Sequence, residues 1–132
     1  MRLAAAALAE GYWKQAQYEE RQGRWAEAAL SYAKACVGRP DDARAHERVA
    51  FATLKSSANT RRAIEFARRA VELDASSAEL RLTLARAYAA AGFEKSAQGE
   101  IERALSLAPN DAKIRELSAQ VREQAQKNGK SG

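Results

Sequence analysis

The sequence is poor in residues that staple, bend or interrupt a chain. Its 132 residues include one cysteine (Cys36), one histidine (His46), two prolines and seven glycines, and aromatics make up only 7%. A single cysteine excludes an intrachain disulfide and any zinc site built on cysteines, and it fits a cytoplasmic setting. A single histidine excludes paired imidazole ligands and gives a nucleophile–base arrangement thin support. β-Branched residues are scarce, which disfavours a sheet. No apolar run approaches the length of a membrane span. Gly129-Lys130-Ser131 echoes the end of a phosphate loop, but the upstream glycine, the preceding strand and the following helix are missing. No catalytic residue, metal site or cofactor is therefore expected.

Good helix formers are abundant instead: Ala, Leu, Glu, Arg and Gln. The length suits one domain, and the composition predicts an all-α one. The formal charge of +5 comes from 22 basic and 17 acidic residues. These are interspersed as on solvated helix faces, with only a mild preference for acidic partners. The opening MRLAAAALAEG is weakly apolar and reads as the first turns of a helix rather than a leader.

An internal repeat organises the rest. From Gly92, steps of five, twelve and seventeen residues reach Ala97, Ala104 and Pro109, and the same steps from Gly23 reach Ala28, Ala35 and Pro40. Between them Ala63 and Ala70 keep the inner spacing, with Ala75 in the proline's place and the loop KSSANT replacing the glycine turn. Ala16, Ala50 and Ala85 form a second ladder with steps of 34 and 35 residues. Each copy is predicted as helix, tight turn, helix and linker. The first ("A") helices span about 9–22, 43–55 and 78–91, and the second ("B") helices about 25–37, 60–73 and 94–107. Gly23 and Gly92 supply left-handed backbone at the turns. Pro40 and Pro109 end B helices, and Asp42 and Asp111 are placed to cap the next A helix. The alanines mark close helix crossings, Ala16 on Ala28, Ala50 on Ala63 and Ala85 on Ala97, where a larger side chain would push the axes apart. Bulk is expected beside them from Tyr12, Trp25, Tyr32, Val49, Ile64, Phe66, Leu84, Tyr88, Phe93 and Ile101. Ile114, Leu117 and Val121 share one face of a capping helix over 112–127, and 128–132 read as a polar, disordered tail.

A helix-turn-helix of this period, with these alanines, glycines and prolines, resembles the tetratricopeptide repeat. The resemblance covers residues 9–111 as three copies (9–42, 43–77 and 78–111), with 1–8 extending the first helix. It implies a right-handed α-α superhelix that binds protein and catalyses nothing, with its A helices lining a concave groove for a partner peptide. Gln15 and Glu19 stand where larger apolar residues are usual, which predicts a partly exposed first helix or an absent neighbour.

Helical phase then nominates the groove: Trp13, Gln17, Arg48, Phe51, Leu54, Leu82 and Arg86. Trp13, Phe51, Leu54 and Leu82 would make an apolar floor, with Arg48 and Arg86 as anchors. The plainer alternative is that the apolar members are core. The clamp by which chaperone-binding members hold a C-terminal carboxylate is not expected, because its positions here carry Trp13, Gln17, Arg48, Glu79 and Thr83. The expected function is thus a protein-interaction module, part of a larger protein or complex. A homo-oligomeric scaffold is the alternative, and RNA binding along the basic stretch RRAIEFARRA is weaker, since carboxylates at helical spacing interrupt the arginines and no stacking platform accompanies them. His46 and Cys36 are expected to be packing residues.

Overall fold

Two glycine turns and four capping side chains cut the chain into helices. The computed structural model describes residues 2–56 and 59–129, with the backbone alone for 2 and 3. Met1, Ser57 and Ala58 of the KSSANT loop, and residues 130–132, which include most of the phosphate-loop echo and of the expected tail, lie outside the described residues. The helices are α1 (Arg2–Arg21), α2 (Trp25–Gly38), α3 (Ala43–Lys55), α4 (Thr60–Leu73), α5 (Ala78–Ala90), α6 (Glu94–Leu107) and α7 (Ala112–Asn128). Among the described residues there is no strand, and no helix is long and apolar enough to cross a membrane.

Gly23 and Gly92 adopt φ of +74° and +83°, the left-handed region that a Cβ resists. Asp42 and Asp111 cap as their sequence positions suggest: Asp42 accepts from the Ala45 amide at 3.1 Å, and Asp111 from those of Lys113 and Ile114 at 2.9 and 3.2 Å. The degenerate middle copy is repaired in the same way. Asn59 accepts from the Arg62 amide and Ser77 from that of Leu80, so side-chain caps start α4 and α5.

Helices pair as α1 with α2, α3 with α4 and α5 with α6; each pair stacks on the next, and α7 closes the stack against α5 and α6. The result is a right-handed α-α superhelix. Alanines occupy the crossings. Ala16, Ala28, Ala50, Ala63, Ala85 and Ala97 are all fully buried, as are Ala35, Ala70 and Ala104. Tyr32, Val49, Leu84 and Ile101 fill the space beside them. Gly38 is a close approach of its own, because a Cβ there would meet the Ala5 carbonyl oxygen and the Ala9 Cβ at 2.7 Å. That contact docks the forward extension of α1 onto the end of α2.

Three expectations need correction. Tyr12 and Phe93 are exposed rather than core. Tyr12 lies on the outer edge of the first pair, with the Lys34 ammonium 5.5 Å from its ring, and Phe93 precedes α6 and meets Tyr88 at 6.4 Å. Gln15 is exposed, as expected of a partly open first helix, but Glu19 is only 6% exposed. Its carboxylate accepts from the Ser31 hydroxyl at 2.6 Å and from Gln15 at 3.2 Å, so hydrogen bonding takes the place of an apolar residue. Cys36 is buried, and burial pushes its thiol up to about 11. His46 lies 5.8 Å from the Phe66 ring, and its Nε2 donates to the Pro40 carbonyl at 2.9 Å.

A candidate binding trough lined by α3, α5 and α7

α3, α5 and α7 reach this trough because each returns to the same side of the stack after the intervening B helix packs on the other. Ala43, Ala78 and Ala112 begin α3, α5 and α7 at steps of 35 and 34 residues. Arg44, Glu79 and Lys113 therefore share one register, and Arg48, Thr83 and Leu117 share another one turn on. A depression of about 330 Å³ lies between these helices, with Arg48, Phe51, Leu82, Thr83, Arg86 and Leu117 among its lining. A second depression continues it along Phe51, Leu54, Lys55, Arg86, Ala90 and Gln124. Phe51 and Arg86 belong to both, so they sit mid-trough.

Five of the seven nominated residues come together here: Arg48, Phe51, Leu54, Leu82 and Arg86. Trp13 and Gln17 line neither depression. The Trp13 indole packs edge-on against Tyr32 at 5.1 Å, and the Arg39 guanidinium covers it at 5.2 Å. Leu82 is only 3% exposed and belongs to the core beneath the floor. Phe51 is the accessible apolar centre, edge-on to Trp25 at 5.6 Å. Sequence reading missed the contribution of α7, which supplies Lys113, Leu117 and Gln124. The 34-residue step from Glu79 to Lys113 carried that signal.

The two arginines differ. Arg48 is committed to its own chain: its guanidinium donates to Glu47 at 2.7 and 3.1 Å and lies 3.4 Å from Glu20. Glu47, 7% exposed, also accepts from the Thr83 hydroxyl at 2.7 Å, and Glu20 accepts from the Tyr32 phenol at 2.7 Å. One network thus ties α1, α2, α3 and α5 together. Burial, more than any other cause, tends to lower the Arg48 pKa, but the Glu47 and Glu20 carboxylates outweigh it and leave it raised. Arg86, by contrast, has no hydrogen-bonded or ion-paired carboxylate among the described residues. Its pKa is lowered, chiefly by burial and further by nearby Arg48, against the opposing pull of Glu47. Both guanidiniums lie over Phe51, Arg48 at 4.4 Å and Arg86 at 5.8 Å, and the Lys55 ammonium is 5.6 Å from the same ring. Three cations therefore lie about one aromatic ring, and among the described residues only Arg48 of the three is hydrogen-bonded to a carboxylate. Among the described residues no three His, Cys, Asp or Glu side chains gather as metal ligands.

The family model described as "Tetratricopeptide repeat" matches residues 54–121, just over half the chain. The chain belongs to the tetratricopeptide repeat family. Solved structures agree in fold. The TPR2B domain of yeast Sti1 in its pHsp70 complex superposes with a TM-score of 0.80 at 22% identity, covering 92% of this chain and 98% of that one. The TPR domain of Arabidopsis OM64 gives 0.78 at 18% identity, covering 90% and 98%. The Yersinia enterocolitica type III secretion chaperone SycD, in complex with a peptide of the translocator YopD, gives 0.76 at 18%, covering 90% of each chain. No curated protein sequence matches. Within this tetratricopeptide fold, Arg48 and Thr83 are internally engaged, since both bond to Glu47. The most basic stretch, on α4, is a solvated outer face. Arg61 pairs loosely with Glu65 at 3.8 Å and Arg62 covers Phe66 at 5.0 Å. Arg69 pairs with Glu72 at 3.6 Å.

Proposed function

We propose that this tetratricopeptide domain is a non-catalytic protein-interaction module that holds a segment of a partner protein in the trough between α3, α5 and α7. The observation that carries the reading is the half-buried Phe51 at the centre of a continuous trough, ringed by cations and open to solvent. Aromatic and arginine side chains of this kind dominate binding energies at interfaces. The peptide-bound states of structurally similar domains support the class of function. The test is a random-peptide display selection on the folded chain, followed by affinity measurement against wild type and a Phe51→Ala/Leu54→Ala variant whose helicity is checked by circular dichroism. Selected peptides that lose most of their affinity for the variant support the trough. Equal binding to both proteins, or no enrichment at all, would sink it.

A second reading, self-association as an assembly scaffold, is favoured by one observation. Leu8, Leu30 and Val37 are exposed on the first helix pair, Val37 by 84%. Light scattering across a concentration series separates the readings: a constant monomer mass removes the scaffold.

A further inference from the structure

Resting on the peptide reading above, we infer that the trough selects a segment carrying an internal acidic residue beside an apolar one. The carboxylate sits on Arg86 and the apolar side chain on Phe51 and Leu54. Four observations lead there. Arg86 is half-buried and has no hydrogen-bonded or ion-paired carboxylate among the described residues; the nearby Glu47 is already bonded to Arg48, so the Arg86 guanidinium loses hydration without a direct partner. Arg48, the other arginine on the same ring, is already bonded to Glu47 and therefore serves the fold rather than a ligand. Lys55 adds positive potential beside Arg86 and likewise has no ion pair among the described residues. Finally, the receptor is central. Lined surface extends from Arg86 towards Arg44 and Lys113 in one direction and towards Ala90 and Gln124 in the other.

That central position decides between a chain end and a passing chain. A terminal carboxylate is best held where several free donors converge at the end of a groove. Here one planar guanidinium offers its fork to one carboxylate, and the trough continues on both sides. An aspartate or glutamate within a segment meets this geometry, with the chain running on past it. The favourable balance has a plain source: pairing returns to Arg86 the charge compensation that burial removed, and Phe51 adds apolar contact at the same point.

The experiment uses the full chain and two pools of short fluorescein-labelled peptides, acetylated and amidated so that no terminal charge remains. Both pools fix a central leucine; its neighbour is aspartate in one and asparagine in the other, and all other positions are random. Anisotropy titrations are run against wild type and Arg86→Gln. The expected result is an aspartate preference of roughly tenfold or more in wild type that disappears in Arg86→Gln. Circular dichroism and a urea melt check that the variant is folded. Equal binding of both pools to wild type overturns the acidic inference while leaving peptide binding intact. A variant that loses both pools equally overturns it too, by making Arg86 a packing residue. If neither pool binds wild type, the peptide reading falls together with the inference.

Discussion

At the scale of single residues, the fold depends on a few places where a side chain is absent or is tied to the backbone. Gly38 is one, because its missing Cβ lets α1 lie on α2. Gly38→Ala is expected to destabilise by about 1–3 kcal/mol, since the atoms it meets are a carbonyl oxygen and a buried alanine rather than a flexible side-chain end. Asp42→Ala removes the cap of α3 and is expected to cost about 1 kcal/mol. Urea unfolding measures both, and a change within error at Gly38 would mean that the two helices simply move apart. Cys36 gives a pH signature. Its thiol pKa is raised from 9.0 to about 11 because burial disfavours the thiolate. The unfolded chain loses this proton first, so the contribution is complete below pH 9 and is lost as pH rises through 11. Tyr32, raised mainly by burial and then by its bond to Glu20, acts in the same direction. Comparing the pH dependence of stability for wild type and Cys36→Ala isolates the thiol: the two curves should converge as pH climbs towards 11.

At the scale of helices, the Glu20–Arg48–Glu47–Thr83 network separates structural charge from available charge. Arg48→Ala leaves Glu47 buried without its guanidinium and is expected to destabilise by about 3 kcal/mol. Arg86→Gln breaks no hydrogen bond or ion pair among the described residues and is expected to leave the denaturation midpoint nearly unchanged. Parallel urea melts decide the matter, and equal losses would show that both arginines hold the fold. Helical phase placed both on the concave side, and it had no means to tell them apart. The difference depends on whether a carboxylate from another turn or another helix comes within hydrogen-bonding distance. Trp13 shows the same limit. Its phase matches a groove position, yet Tyr32 from α2 and Arg39 from the following loop cover it.

For the whole molecule, the stack is quasi-linear, so each pair depends mainly on its neighbours. Ending the chain after Asn110 would remove α7 and expose the faces of Leu82 and Ile101 against which Ile114 and Val121 pack. The truncated protein is expected to lose helical signal from α5 and α6 before α1 and α2. Hydrogen exchange resolved along the chain tests this: uniform loss of protection would mean that the stack unfolds as one unit instead.

Local rules were enough for the sequence to determine the helices and their pairing. Left-handed glycines, side-chain caps and a 34-residue spacing of alanines act over a few residues or repeat regularly, and the observed helix limits follow them closely. Only the tertiary structure decided which charges are neutralised, which aromatic faces solvent, and that α7 completes the trough as well as closing the core. Those outcomes depend on distances between residues far apart in the chain. A guanidinium beside a carboxylate and one without any read alike in sequence, and burial alone turns that difference into chemistry.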